Sequence, residues 1–149
     1  MRVRPLVGRE LTEGSRKLCV VPPEGSDGNR LQIGVKSFNF DRVFWAEESQ
    51  EYIFDTCTRN LVLGCFHGFN ATILAYGQTG SGKTHSMGTG PSIGVPFEQV
   101  GIVPRVFKFI FDELALRRAQ SEYSEFKVRI SFMELYNEEL HDLLDPASM

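Results

Sequence analysis

Eight consecutive residues in the middle of the chain have the types and spacing of a phosphate-binding loop. They match the pattern G-x-x-x-x-G-K-[ST] and are Gly77, Gln78, Thr79, Gly80, Ser81, Gly82, Lys83 and Thr84. Glycines let successive backbone N–H groups approach a phosphate closely, and the lysine supplies a positive charge to the outer phosphates. The Thr84 hydroxyl is suited to ligate the Mg²⁺ that accompanies them. The pattern therefore predicts a nucleoside triphosphate site.

The residues on either side of this loop fit the same mechanism. Residues 71–76 are a short, mostly apolar run, which favours a buried strand. Residues 83–87 are predicted to begin a helix whose N-terminal amides and positive dipole end face the bound anion. Because the motif requires a strand, a loop and a helix in this order, the alternative of an ordinary glycine-rich turn is strongly disfavoured.

Composition indicates one globular domain of ordinary size. The 149 residues are 42% hydrophobic and 23% charged, with a net charge of −3 that gives no sign of nucleic-acid binding. No apolar run approaches the roughly 18 residues of a membrane span, and the N-terminus has no signal-peptide core. We expect an intracellular protein. Cys19, Cys57 and Cys65 lack metal-ligand spacing, and we interpret the latter two as buried helix residues.

The first half of the chain is predicted to form short strands followed by one helix. Residues 1–6, 18–21, 31–35 and 37–40 have strand patterns separated by turns, which indicates a small antiparallel patch. A four-residue apolar period then predicts a helix that is capped by Ser49 and ends at Gly68. His67 is interpreted as a solvated helix-end residue. The predicted core residues are Phe38, Phe40, Val43, Phe44, Ile53, Phe54, Cys57, Leu61, Val62 and Cys65.

The second half contains a loop, a helix and two further elements. Residues 88–101 carry four Gly and two Pro, which predicts an irregular surface loop, either regulatory or a tolerated insertion. Helical spacing resumes near Pro104. Alternation over residues 126–132 predicts a strand with one buried face, and residues 136–144 favour a short helical turn. The predicted apolar face of the helix is Val103, Phe107, Ile110, Phe111 and Leu114.

The chain resembles kinesin motor domains over essentially its whole length and in the right order. The segments that carry the resemblance are RVRP at residues 2–5, FDRVF at 40–44, FNATILAYGQTGSGKTHSMG at 69–88, GIVPR at 101–105, and ELYNEE with DLL at 134–144. Within the family it is most similar to the kinesin-4 group, judged from the sequences NAT at residues 70–72 and NEE at residues 137–139.

This resemblance implies an α/β P-loop NTPase fold of the kinesin motor type, with a mixed, mostly parallel sheet flanked by helices. Residues 1–149 would be the N-terminal part of that domain, so the fold would be incomplete in this chain. The implied cofactors are ATP and Mg²⁺, with Thr84 as the metal ligand. By the same resemblance Arg2, Arg4, Pro5 and His85 would border the adenine, and their flat or apolar surfaces suit stacking on a purine.

The family's switch signatures, N-x-x-S-S-R-S-H and D-L-A-G-x-E, are missing from these residues. In the family they sense the γ-phosphate and position the attacking water, so the resemblance implies a nucleotide cradle with no catalytic residue of its own. Without the second half of the domain, residues 71–76 would lack strand partners, and we expect the isolated chain to fold poorly or aggregate. It would then be a truncated isoform, a partial gene model or a fragment.

For the complete protein, the resemblance implies an ATP-driven microtubule motor of the cytoplasm and cytoskeleton. It would bind tubulin through the missing C-terminal half and act as a homodimer. No membrane partner is expected, and the sequence gives no direct evidence of a nucleic-acid partner. Two alternatives stay open. One is a non-catalytic fragment that acts only by nucleotide or partner binding. The other is a different P-loop NTPase, such as a GTPase or a nucleotide kinase, although the N-K-x-D segment of a GTPase is not seen.

Overall fold

The computed structural model describes residues 1–6, 8, 10, 20–21, 28–88, 94–120 and 125–145. The chain divides into two compact units, Met1–Ile110 and Phe111–Met149. The predictions for Leu18 and Cys19, and for residues 89–93 of the glycine-rich loop, lie outside the described residues. No helix in the described part of the chain is both long and apolar enough to cross a membrane.

The first unit begins with a small antiparallel sheet, as the sequence predicts. Its strands are β1 (Val20–Val21), β2 (Arg30–Ile33) and β3 (Lys36–Asn39), in the order β1-β2-β3. Ile33 pairs with Lys36, so Gly34 and Val35 form a two-residue turn. Gly34 has a φ of 59°, a conformation that glycine adopts without steric strain. The turn therefore fixes the β2–β3 register.

A cluster of apolar side chains lies against this sheet. Leu31 is 1% exposed and packs with Val3 and Val43, and Phe40 and Trp45 are partly buried against them. Val43 and Phe44 are buried, as the sequence predicts. The prediction for Phe38 is wrong, because its side chain is 40% exposed. β3 is an edge strand of the sheet, so it has a neighbour on one side only.

The N-terminal segment runs beside the residues that follow the sheet. Arg2 and Phe44 form an isolated parallel bridge. The amide of Val3 donates to the carbonyl of Phe44 at 2.8 Å, and the amide of Phe44 donates to the carbonyl of Met1 at 2.8 Å. The strand predicted at residues 1–6 is therefore present only as this short bridge, whose hydrogen bonds fix the position of Arg2.

The predicted helix between Ser49 and Gly68 is two helices, α1 (Gln50–Cys57) and α2 (Arg59–Phe66). The predicted cap is confirmed, since the Ser49 hydroxyl accepts from the amide of Tyr52 at 3.1 Å. The helices join at Thr58, whose φ of −113° departs from helical geometry. Gly68, with a φ of 87°, follows the end of α2 as predicted.

This break at Thr58 changes which residues are buried. Ile53, Phe54 and Val62 are buried as predicted, but Leu61 is 43% exposed. The interpretation of Cys57 and Cys65 as buried is wrong, because both thiols are free and both residues are exposed. α1 ends at Cys57 and the chain is redirected before α2 begins, so the two halves do not form one continuous apolar face.

Two further helices and one short turn complete the first unit. They are α3 (Lys83–Met87), a 3₁₀ helix (Phe97–Gln99) and α4 (Ile102–Ala119), of which α4 continues into the second unit. The helix predicted near Pro104 is confirmed. Its predicted apolar face is only partly correct, since Leu114 is buried but Phe107 and Phe111 are 36% and 48% exposed.

Arg105, near the start of α4, contacts the 3₁₀ helix that precedes it. Its guanidinium is buried and donates to the carbonyls of Phe97, Glu98 and Val100 at 2.9, 3.2 and 3.1 Å. It also lies 4.7 Å from the centre of the Phe97 ring. The prediction that residues 88–101 contain no regular structure is therefore wrong for the 3₁₀ helix, whose carbonyls this arginine satisfies.

The second unit contains a hairpin of β4 (Met133–Tyr136) and β5 (Glu139–Asp142). The short helical turn predicted for residues 136–144 is wrong. Asn137 and Glu138 have φ values of 51° and 68°, and left-handed residues at both central positions produce a tight hairpin turn that matches strand twist. Asparagine tolerates this conformation better than most residues.

Two segments predicted as strands do not form strands in the described part of the chain. Residues 126–132 form no strand, and Phe126, Val128, Ile130 and Phe132 are 44%, 38%, 56% and 47% exposed, so the predicted buried face is wrong. Residues 71–76 likewise form no described ladder, with Leu74 85% and Tyr76 96% exposed. A strand pattern buries a face only where a neighbouring element covers it.

Candidate nucleotide-binding site

The phosphate-binding loop turns tightly between residue 77 and the first turn of α3. Gly80 and Gly82 have φ values of 78° and 96°, and Gly82 caps α3 in the left-handed conformation. A Cβ atom on Gly77 would lie 2.4 Å from the Oγ of Ser81 and 3.1 Å from its Cβ. The amide of Ser81 donates to the carbonyl of Gln78 at 3.1 Å. Backbone conformation therefore favours glycine at Gly80 and Gly82, and a side chain at Gly77 would displace the side chain of Ser81.

Lys83 lies over the loop that precedes it. Its ammonium donates to the carbonyls of Gly77 and Gln78 at 2.6 and 2.9 Å. Thr84 follows Lys83 in the sequence and is exposed on the first turn of α3. The described residues hold no group of three or more His, Cys, Asp or Glu side chains suited to a metal ion. A Mg²⁺ ion here would rest on the Thr84 hydroxyl and on phosphate oxygens, and the residues present fit that arrangement.

The far end of α3 is fixed by a contact between two glycines. A Cβ on Gly88 would lie 2.6 Å from the backbone nitrogen of Gly101, and one on Gly101 would lie 2.4 Å from the nitrogen of Gly88. The same added atom would lie 2.5 Å from the carbonyl oxygen of Ser86. The end of α3 therefore packs backbone to backbone against the residue before α4, an approach open only to glycine.

Two of the four predicted base-pocket residues meet beside α3. The guanidinium of Arg2 donates through Nη1 to the hydroxyl of Ser86 and to Oε1 of Gln50, both at 2.9 Å. The Gln50 amide nitrogen donates to the carbonyl of His85 at 2.8 Å and lies 3.1 Å from its ring Nε2. The structure thus brings Arg2 and His85 together through Gln50.

Gln50 is a site residue that the sequence did not reveal. It is 5% exposed, although glutamine is seldom buried so deeply without partners. The available signal was indirect. The predicted cap at Ser49 places Gln50 at the first position of α1, but the partners of its side chain lie 35 to 49 residues away in the sequence.

The same contacts indicate which His85 ring nitrogen carries a proton. A guanidinium only donates hydrogen bonds, so Oε1 of Gln50 must be the atom that faces Arg2. The amide nitrogen then faces the imidazole, and because it also only donates, we assign Nε2 of His85 as the acceptor and Nδ1 as protonated. Partial burial, followed by the positive charge of Arg2, lowers the pKa of His85, in agreement with a neutral ring.

Arg4 and Pro5 have different surroundings. The Arg4 guanidinium forms two bonds with the Glu10 carboxylate, at 2.5 and 2.6 Å, and donates to the Pro5 carbonyl at 3.0 Å. The hydrogen bonds that Arg4 donates to the Glu10 carboxylate raise the pKa of Arg4. Among the described contacts, Arg4 and Pro5 are joined to their own segment and not to His85. Their place beside a base stays a prediction.

Comparison with protein families gives one matching description, the kinesin motor domain, over residues 2–149. Kinesin-related protein 8 of Dictyostelium discoideum is 44% identical over 98% of this chain and 8% of its own length. KIN-4A of Gossypium hirsutum is 44% identical over 99% of this chain and 13% of its own. Human chromosome-associated kinesin KIF4A is 43% identical over 99% of this chain and 12% of its own length. The chain therefore spans about a tenth of the length of these relatives.

Solved structures give the same result. A structure described as a fast kinesin matches with a TM-score of 0.82 and 35% identity, over 99% of this chain and 40% of that chain. Drosophila NOD in complex with divalent manganese and ADP matches with a TM-score of 0.78 and 34% identity, over 99% of this chain and 48% of that chain. NOD docked with bovine tubulin in a map of its nucleotide-free microtubule complex matches with a TM-score of 0.80 and 38% identity. This match covers 87% of this chain and 44% of that chain.

Proposed function

This chain belongs to the kinesin motor domain family, and from that premise we propose that it is the ATP-binding part of a microtubule-based motor. The similarity to the kinesin-4 group expected from the sequence is confirmed by relatives that include KIN-4A and KIF4A. The fold is that of a P-loop NTPase of the kinesin motor type, and the chain covers 40% to 48% of the solved motors reported above.

One observation carries the proposal of ATP binding. The phosphate-binding loop, with the Lys83 ammonium 2.6 Å from the Gly77 carbonyl, lies on the same short helix whose His85 and Ser86 contact Gln50 and Arg2. A triphosphate and a base could therefore be held at the two sides of α3. Manganese and ADP bound to NOD support a nucleotide with a divalent metal.

Each residue has a role in this proposal. The loop amides and the Lys83 ammonium bind the outer phosphates, and the Thr84 hydroxyl ligates Mg²⁺. Arg2 and His85 border the adenine, together with Arg4 and Pro5. When bound, Mg²⁺ neutralises phosphate charge. We assign no catalytic residue within residues 1–149, since phosphoryl transfer also needs a group that positions the attacking water.

In the complete protein, ATP hydrolysis would be coupled to movement along microtubules in the cytoplasm. The docked structure of NOD with tubulin supports microtubules as the partner. A homodimer is part of the proposal by resemblance to the family. Residues 1–149 would then be the N-terminal part of the motor domain.

A substitution of Lys83 tests the proposed site directly. We expect Lys83→Ala to lower ATP affinity by about 100-fold or more, because the ammonium forms charge-assisted bonds with phosphates. Lys36→Ala, on the exposed edge strand β3, is the matched control and should bind as the unchanged protein does. Isothermal titration with MgATP measures both. Equal affinity in the two variants would refute the proposed site.

A second candidate is a non-catalytic fragment that acts by nucleotide or partner binding. The exposed apolar side chains of residues 126–132 favour a partner surface over an enzyme. Copurification of a partner independently of nucleotide would support it, whereas microtubule-stimulated ATP turnover by the protein would exclude it.

A further inference from the structure

We propose that Gln50 is the positioning residue of the base pocket, which holds the Arg2 guanidinium and the His85 imidazole in fixed orientations beside α3. This inference rests on the proposed ATP site. It goes beyond it by assigning base recognition to the first residue of α1, which touches neither the phosphates nor, in this scheme, the base itself.

The buried side chain of Gln50 depends on these partners for its hydrogen bonds. At 5% exposure its amide has almost no access to water, and an unsatisfied buried polar group is strongly unfavourable. Oε1 accepts from Arg2 at 2.9 Å. Of the two N–H groups of the amide nitrogen, one donates to the carbonyl of His85 at 2.8 Å and the other faces the Nε2 of the His85 ring at 3.1 Å, with the carbonyl of Gln99 as a longer contact at 3.3 Å. The amide is thereby fixed from both ends.

Three separate segments of the chain meet at the Gln50 amide. Arg2 comes from the N-terminal segment, His85 from α3 and Gln99 from the 3₁₀ helix. Arg2 also donates to Ser86 on α3 at 2.9 Å, so Gln50, Arg2 and α3 form a closed triangle of hydrogen bonds. A closed triangle restrains the guanidinium more than either bond alone would.

Arg2 and Arg4 differ in the charge of their partners. The described hydrogen bonds of Arg2 go to an amide and a hydroxyl, which are neutral, whereas Arg4 forms an ion pair with Glu10. The charge of Arg2 is therefore not balanced by these partners, and after partial burial it is the second cause that lowers the pKa of His85. A positioned, uncompensated guanidinium is suited to stack on a purine, and losing its support should weaken binding of the base selectively.

The test compares a ligand that has a base with one that has none. MgATP reports the phosphate loop and the base pocket, whereas inorganic tripolyphosphate with Mg²⁺ reports the loop alone. We expect Gln50→Met, which keeps the length of the side chain but not its hydrogen bonds, to weaken ATP binding by about 10-fold. Tripolyphosphate affinity should change by less than about 2-fold. Gln120→Met, an exposed position on the turn after α4, is the matched control.

Equal weakening of both ligands would assign Gln50 a merely structural role and overturn the inference, as would no weakening of either. If Gln50→Met does not fold, Gln50→Glu decides the matter. Its carboxylate still accepts from Arg2 but cannot donate to the His85 carbonyl, so the same selective loss is expected. If the unchanged protein binds tripolyphosphate as tightly as ATP, the base pocket fails while the phosphate site stands. If it binds neither ligand, the proposed function itself fails.

Discussion

Around the phosphate loop, groups from four segments meet within hydrogen-bond distance, whereas the hairpin of β4 and β5 is held by its own ladder. Beside α3 the partners of Gln50 lie 35 to 49 residues away in the sequence. In the hairpin, Leu135 pairs with Leu140 and both side chains are largely exposed, at 72% and 66%. One region depends on contacts between distant residues, and the other depends on a local turn.

This difference teaches how substitutions should act in each region. Where distant segments converge, a small change in one side chain removes support from several elements at once. Where a hairpin is exposed, its side chains can change with little effect on stability, and only its turn residues matter strongly. The four predictions below test this contrast, from the largest expected effect to the smallest.

Leu31→Ala should be the most damaging change. Leu31 is 1% exposed in the cluster with Val3 and Val43, and truncation of such a residue leaves a cavity, so we expect about 3 kcal/mol less free energy of unfolding. Leu135→Ala is the matched control in the hairpin and should change stability by less than about 0.5 kcal/mol. Urea denaturation of both variants measures the difference. Similar losses in the two would contradict the contrast.

Gly101→Ala should come second. The added methyl group would lie 2.4 Å from the backbone nitrogen of Gly88, so α3 or the start of α4 must move. We expect a loss of about 2 kcal/mol in stability and weaker ATP binding. Gly64→Ala on α2 is the control, because its methyl group meets only Phe69 at 3.9 Å and alanine favours helices. Thermal unfolding and ATP titration check both, and unchanged ATP affinity in Gly101→Ala would separate the glycine contact from the site.

Ser49→Ala should have a smaller effect on stability. It removes the hydroxyl that accepts from the amide of Tyr52 at 3.1 Å, and loss of such a cap weakens a helix by about 1 kcal/mol. Because the cap also fixes the start of α1, ATP affinity should fall while Ser49→Asp, which can still cap, restores it. Failure of the aspartate variant to restore binding would show that the cap does not position Gln50.

Glu138→Gly should have the smallest effect, and it should be stabilising. Glu138 has a φ of 68°, which glycine adopts without strain, and this relief is partly offset by the greater chain entropy of glycine. We expect a net gain of about 0.5 kcal/mol for the hairpin. Slower hydrogen exchange of the β4 and β5 amides would show it. Faster exchange would mean that the turn tolerates glutamate without strain.

The sequence predicted best those features that depend on neighbours in the chain. The phosphate loop, the Ser49 cap and the β2–β3 hairpin follow from short patterns, and the structure has all three. It could not predict the break at Thr58, because a four-residue apolar period continues across that residue. Nor could it predict that residues 126–132 are exposed, because alternation gives the faces of a strand but not what covers them.

The residues of the candidate site also differ in whether short sequence patterns or distant contacts reveal them. Lys83 and the glycines were found by type and spacing, whereas Gln50 was missed because its importance appears only when Arg2, α3 and the 3₁₀ helix converge on it. The prediction of a short helical turn at residues 136–144 failed for a related reason, since the left-handed backbone at Asn137 and Glu138 overrides the helical spacing of nearby leucines.

The contact between Gly88 and Gly101 also affects how the chain between them could vary. Its two ends already touch, so a longer or shorter connection joins the same two points. For a flexible connection, each doubling of length makes closure less favourable by only about 0.6 kcal/mol. Insertions placed before Gly94, including one that carries a reporter group, should therefore leave α3 and the loop before it in position, whereas a change of length within residues 97–100 would disturb the bonds to Arg105 and Gln50.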